Sequence, residues 1–286
     1  MNPVSSLVEH ALQKNVTSVM PLGGGSISTA MKATLSDGEI VFVKVSPQQT
    51  DMFPKEANGL RELAKAGAIK IPAVIFADEK ILVLEFLSPS SPPNRKLFFE
   101  EFGRQFAALH RCTSSSFGFF EDNYIGSTPQ QNLPLSSSWK EFYYTRRLQY
   151  QFLLAEENGY VNAELRRYFD ALGCRMDELV PDDGEPPAML HGDLWAGNFL
   201  CMEGARPAII DPAVYYGHHE ADLAMTLLFG GFGDSFYSAY AEAYPLNPGW
   251  QRRMELYKLY HLFNHLNLFG EGYYGQVLRT MQELTR

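Results

Sequence analysis

The sequence predicts an α+β protein of two unequal lobes. The first is small and built on an antiparallel sheet with one main helix; the second is larger and mostly helical. Three observations support this. Up to Leu87, short β-rich runs alternate with turn signals around a single helical segment. The stretch Ser88-Pro-Ser-Ser-Pro-Pro-Asn94 then stops any strand or helix and reads as a linker. Beyond it, apolar residues recur mainly at helical spacing. The lobes are therefore expected at residues 1–87 and 88–286.

In the first lobe, Val16 to Leu22 reads as a strand and Ile27 to Leu35 as a second, with Gly23, Gly24, Gly25 and Ser26 between them. Three glycines there suit a backbone that approaches phosphate oxygens closely, although a hairpin turn uses the same residues. No Gly-Lys-Ser/Thr follows, so this is not a Walker A loop. Ser36-Asp-Gly-Glu39 is a turn signal, and Glu39 to Val45 alternates as a half-buried strand carrying Lys44. That lysine is either an edge-strand charge or the cation for the α and β phosphates of ATP. Phe53 to Ala66 has Ala57, Leu60, Leu63 and Ala64 at helical spacing and Gly67 as its stop. Glu56, at the edge of the apolar stripe, is favoured over Glu62 as the partner of Lys44. Ala73 to Ala77 and Ile81 to Leu87 are two further strands. The backbone of Glu85, Phe86 and Leu87 forms the hinge at which an adenine would hydrogen-bond.

In the second lobe, helices are expected from Asn94 or Arg95 to Arg111, Trp139 to Glu157, Ala163 to Leu179, Glu220 to Phe229, Asp234 to Tyr244 and Trp250 to Phe269. The loop from Thr113 to Ser138 is long enough to be functional or disordered. Within this lobe stands His191-Gly-Asp-Leu-Trp-Ala-Gly-Asn198, followed by Ile-Ile-Asp211-Pro. Asp193, Asn198 and Asp211 have the order and spacing of a phosphoryl-transfer loop, in which the first Asp takes a hydroxyl proton and the Asn and second Asp hold magnesium (Mg2+). Phe199 to Met202 and Ala208 to Ile210 read as a hairpin that returns Asp211 to the side of Asn198. His191 reads as a hydrogen-bonding residue of the loop rather than a catalyst. Asp222 reads either as a brace for the loop or as a helix-start charge.

The whole arrangement resembles the fructosamine kinase (ketosamine-3-kinase) family, within the aminoglycoside-phosphotransferase-like, protein-kinase-like fold. The resemblance rests on Gly23-Gly-Gly-Ser-Ile-Ser28, Phe117-Gly-Phe119 with Asn123 and Ile125-Gly126, Trp139-x-x-Phe142 with Arg147-Leu148, and the His191 to Asn198 loop. It continues through Asp211-Pro-Ala-Val-Tyr-Tyr-Gly217, Glu220 to Met225, Leu227 to Phe232, Tyr260 to His265 and Asn267 to Gly270. It implies transfer of the ATP γ-phosphoryl group to the C3 hydroxyl of a ketosamine. Asp193 is then the base, Lys44, fixed by Glu56, holds the α and β phosphates, Gly23 to Ser26 cover the β and γ phosphates, and Asn198 and Asp211 carry magnesium. For the acceptor, Trp195 is either a stacking platform for the sugar or a core-filling residue, and Tyr215, Tyr216, His261 and His265 are weaker candidates. Two departures stand out: Ser26 replaces a cysteine of some members, and His219-Glu220 stands where many have Arg-Glu.

Composition sets the remaining bounds. Acidic residues exceed basic ones, giving a net charge of −9, which disfavours nucleic-acid and anionic-membrane partners. No signal peptide is visible, apolar runs are too short to span a bilayer, and three widely spaced cysteines fit reduced thiols in a cytoplasmic protein. No feature sets the oligomeric state. Alternatives are a kinase for an aminoglycoside, choline or a free sugar, a non-catalytic nucleotide-binding module, or an acyl- or methyltransferase with accidental motifs.

Overall fold

The computed structural model describes residues 3–23, 29–46, 50–180 and 184–286. Helix α1 (Pro3–Leu12) leads into five antiparallel strands and a second helix: β1 (Val16–Pro21), β2 (Thr29–Leu35), β3 (Ile40–Val45), α2 (Met52–Lys65), β4 (Val74–Ala77) and β5 (Ile81–Glu85). The sheet order is β1-β2-β3-β5-β4. Side chains alternate across a strand, so β3 and β5 have two different jobs. Val41, Val43, Ile81 and Val83 pack with Val4 and Val8 of α1 in a small core. Phe42, Lys44, Leu82 and Leu84 take the opposite face, toward α2. The sequence reading missed α1; its Val4 and Val8 lie one helical turn apart and cover the outer face of the sheet.

Phe53, Ala57, Leu60 and Leu63 of α2 are buried in the large core, which runs without a break to the C-terminal helices. Gly59 lets α2 sit tightly on the later chain: a Cβ there would stand 3.1 Å from Val214. The Pro/Ser stretch is not a free tether, since Ser90 N donates to Cys201 O at 2.7 Å. Asn94 then caps α3 (Arg95–His110) by accepting from Leu97 N at 3.1 Å.

The long loop is ordered and includes a hairpin, β6 (Asn123–Ile125) with β7 (Thr128–Gln130). The expected helix from Trp139 to Glu157 exists as α4 (Trp139–Tyr143) and α5 (Tyr150–Glu157), joined through a π-helical run from Tyr144 to Gln149 that carries buried Arg147. After α6 (Ala163–Cys174) and α7 (Met176–Leu179) come β8 (Ala188–Leu190), β9 (Phe199–Met202), β10 (Arg206–Ile209) and β11 (Tyr215–Gly217). The chain ends in α8 (Glu220–Leu228), α9 (Asp234–Ala243), α10 (Trp250–Phe269) and α11 (Tyr274–Leu284), the last also missed by the sequence reading. Helix α9 approaches α3 so closely that a Cβ on Gly103 would stand 2.3 Å from Phe236 O.

Candidate active site

Two short antiparallel pairs build the loop. β8 pairs with β11, and β9 with β10, so His191 to Asn198 and Asp211 to Val214 are neighbouring connections. Phe199 stands opposite Ile209, and Ile210 N donates to Asn198 O at 3.0 Å. The hairpin thus brings Asn198 and Asp211 together as the spacing implied. Gly192, at φ +83°, cannot carry a side chain, because a Cβ would lie 2.0 Å from Ala213 O. Across this narrow point Ala213 N donates to His191 O at 2.8 Å.

Asp222 braces the loop from the first turn of α8. Its carboxylate is buried and accepts from His191 N at 2.6 Å and Gly192 N at 2.7 Å, with His110 Nε2 at 3.2 Å. Burial works against its charge, yet the His110 hydrogen bond and its other donors hold its carboxyl below the ordinary range. His191 has the structural role expected of it. Its Nε2 lies 2.9 Å from Ile210 O and its Nδ1 accepts from Asp193 N at 3.2 Å, a pattern that requires the Nε2–H tautomer. Burial pushes its pKa down, so the ring stays neutral.

Lys44 lies buried between two carboxylates, 2.7 Å from Glu56 Oε1 and 2.9 Å from Asp211 Oδ1. Burial disfavours its charge, but Asp211 and Glu56 outweigh that and raise its pKa, so it remains an ammonium. Glu62 is engaged elsewhere, with Lys65 at 2.7 Å and the Tyr216 hydroxyl at 2.9 Å. Asp211 itself adopts φ +55°, a left-handed conformation that is uncommon outside glycine and aims its carboxylate at Lys44.

These groups face a cleft of ≈ 800 Å³ between the sheet and the loop. Gly23, Lys44, Glu56, Glu85, Phe86, Leu87, Asp193, Trp195, Asn198 and Asp211 all line it. Gly24, Gly25 and Ser26 lie outside the described residues. The Glu85 carboxylate points away toward Lys70, at 2.7 Å, and Ala73 N, at 3.0 Å, so only the Glu85 main chain is left to serve the cleft. Burial, then the charges of Asp211 and Asp222, push the Asp193 carboxyl well above the usual range. Asn198 Nδ2 donates to Asp193 O at 2.8 Å.

The fructosamine kinase family model matches residues 1–286. The chain belongs to this family. A chloroplastic protein-ribulosamine 3-kinase of Arabidopsis thaliana is 37% identical over 279 residues, covering 95% of this chain and 83% of the relative. A Thermobifida fusca crystal structure described as a "putative fructosamine-3-kinase" superposes with a TM-score of 0.90 at 34% identity, covering 99% of both chains. Aminoglycoside phosphotransferase APH(4)-Ia, bound to AMP-PNP and hygromycin B, reaches a TM-score of 0.69 at 15% identity over 99% of this chain and 98% of its own, a likeness of fold alone.

Within this family member, the acceptor candidates divide. Trp195 is 41% exposed, so it is not a core residue; its indole lies over Gly197, where a Cβ would come within 2.4 Å of the ring. Tyr215 does not line the cleft: it is buried, with the Arg147 guanidinium 4.0 Å from its ring. Tyr216 takes the other face of β11 and meets Glu62, also away from the cleft. His261 is buried, and His265 stands behind Phe229, its Nδ1 donating to His261 O at 2.8 Å. Sequence reasoning missed Tyr124 and Lys55, both of which line the cleft. The Tyr124 hydroxyl donates to Asp51 at 2.6 Å, and Lys55 pairs with the same carboxylate at 2.7 Å. The prior signals for Tyr124 were the length of its loop and the flanking Asn123 and Ile125-Gly126. His219 stacks on Tyr244 with ring centroids 4.2 Å apart, while Arg253 binds both Glu220 oxygens at 2.6 and 2.7 Å. That guanidinium would oppose any cation among His218, His219 and Glu220.

Proposed function

We propose that the chain transfers the γ-phosphoryl group of ATP to the C3 hydroxyl of a ketosamine, with residues 1–87 as the nucleotide lobe and 88–286 as the catalytic and acceptor lobe. The observation that carries this reading is the convergence of Asp193, Asn198, Asp211 and Lys44 on one cleft, in a chain whose near full-length relative is named a protein-ribulosamine 3-kinase. The likeness to an aminoglycoside enzyme is too low in identity to argue for that acceptor.

In this reading Asp193 takes the proton of the acceptor hydroxyl as its oxygen bonds to the γ-phosphorus and the bond to the leaving ADP breaks. A carboxylate made more basic by burial and by neighbouring charge suits that role. Lys44, fixed by Glu56, presents a buried cation to the α and β phosphates. Gly23 to Ser26 cover the phosphates, and the backbone from Glu85 to Leu87 receives adenine. Asn198 uses its amide NH2 on Asp193 O at 2.8 Å and on the Asp211 main-chain oxygen at 3.4 Å, which leaves its carbonyl oxygen, with the Asp211 carboxylate, to hold a metal. Such hard oxygen donors fit magnesium, and a bound ion would neutralise charge on the phosphate oxygens. Trp195, exposed at the cleft, is the acceptor platform.

A cytoplasmic location fits the reading. The three cysteines are free, and among the described residues no helix is long and apolar enough to cross a membrane. The deciding experiment measures kcat/KM for fructose- and ribose-derived lysine adducts, free sugars and an aminoglycoside at fixed magnesium-ATP. Preference for any ketosamine supports the proposal. Preference for a free sugar or an aminoglycoside over every ketosamine refutes the acceptor.

A further inference from the structure

At the cleft, Trp195 forms an exposed aromatic corner with Phe229, a residue the mechanism does not use. Trp195 and Phe229 are 41% and 40% exposed, and their rings meet edge-on with centroids 6.4 Å apart and planes at 76°. Trp195 follows Asp193 by two residues and lines the cleft with it. Phe229 is fixed in place from both sides. Behind it stands the His265 ring, at 4.8 Å, and after it Gly231 packs so closely on Ala196 of the catalytic loop that a Cβ would come within 2.5 Å. Arg95 Nη2 ties the same turn down through Gly231 O at 3.1 Å. Phe269 and Tyr273 continue the aromatic surface, 5.4 and 5.1 Å from His265.

We infer that Phe229, with Trp195, is a specificity-determining residue that recognises the substituted ammonium of the ketosamine by cation–π contact, and that the amine's substituent leaves along Phe269 and Tyr273. This rests on the ketosamine reading above. In such a substrate the C1 nitrogen is four bonds from the C3 oxygen, hence at most about 5 Å from it. With the C3 hydroxyl at Asp193, the nitrogen falls beside that loop, where Trp195 stands. Two aromatic faces at a steep angle make a corner that suits an alkylammonium, and exposed rings of this kind bind such cations without burying a counter-charge. Burial holds His265 neutral, so it adds no repulsive charge behind Phe229.

The test compares two acceptors on wild type, Phe229→Leu and Phe229→Tyr: a fructose bearing a dialkylammonium at C1, and its neutral ether isostere. Wild type should prefer the ammonium form. Phe229→Leu should lower kcat/KM for that form by roughly 3- to 30-fold while changing the ether little, and Phe229→Tyr should restore the preference. Tryptophan fluorescence titration with the 3-deoxy ammonium sugar, which cannot be phosphorylated, should show the same ordering of affinities. Equal losses for both acceptors in Phe229→Leu, or an undiminished ammonium preference, would overturn the inference and leave the kinase reading intact. Wild type that turns over no ketosamine would overturn both.

Discussion

Asp222→Asn isolates the brace beneath the catalytic loop, because it changes charge and hydrogen-bonding pattern with almost no change in shape. Oδ2 serves His191 N and His110 Nε2, and Oδ1 serves Gly192 N. An asparagine offers one acceptor oxygen and one NH2. Whichever way it turns, either His191 N or Gly192 N loses its acceptor and faces another donor. An unsatisfied buried donor costs about 1–3 kcal/mol, and removing the charge weakens the remaining contacts. We take the upper end of that range, about 3 kcal/mol, as the expected loss of stability. The assay is the urea unfolding midpoint with its m value, read beside kcat and KM for ATP. Since His191 N and Gly192 N lie next to Asp193, a displacement on the order of 1 Å should lower kcat by about 100-fold while KM for ATP changes little. A loss below about 1 kcal/mol together with unchanged kcat would refute the bracing argument.

Three further outcomes are expected. Asp193→Asn should lower kcat by roughly two orders of magnitude or more with ATP binding nearly intact, whereas Asp211→Asn should also weaken magnesium-ATP binding; isothermal titration beside initial rates separates the two, and near wild-type turnover in Asp193→Asn would remove it from catalysis. Lys44→Met and Glu56→Gln should produce similar defects, and their double mutant should be no worse than the more severe single; additive losses in kcat/KM would show that the 2.7 Å pair does not act as a unit. Stability should fall as pH drops below the ordinary histidine value of 6.5, because burial lowers the His261 pKa to about 3, so the unfolded chain takes up a proton there that the folded chain refuses. His261 alone implies a loss of about 2 kcal/mol at pH 5, with His191 and His265 acting in the same direction. The raised Asp193 pKa acts in the opposite direction, so the readout is the difference from His261→Asn: denaturation midpoints that depend on pH equally in both proteins between pH 5 and 7 would contradict this.

The catalytic loop was legible because its chemistry is local. Asp193, Asn198 and Asp211 are held by two short hairpin-like connections whose length alone returns them to one point. Lys44 was legible from strand alternation, and Glu56 from its place at the edge of an apolar stripe. Elements at the two ends of the chain and very short ones escaped: α1 with its two buried valines, α11, and the three-residue strands β6 and β7. Tyr215 and Tyr216 were read as acceptor candidates, yet they sit on opposite faces of a strand and neither face is the cleft.

The sequence by itself determined the fold class, the order of the main elements and the segment from His191 to Asp211 that carries the proposed site, since each depends on patterns within short stretches of chain. Only the tertiary structure decided that His110, 112 residues before Asp222, shares its carboxylate with the loop. It alone set Lys44 between Glu56 and Asp211, brought Tyr124 over the N-terminus of α2 and stood Phe229 against Trp195. Such contacts join segments far apart in the chain, and their existence depends on how helices and sheet pack, a condition that no local pattern of residues encodes.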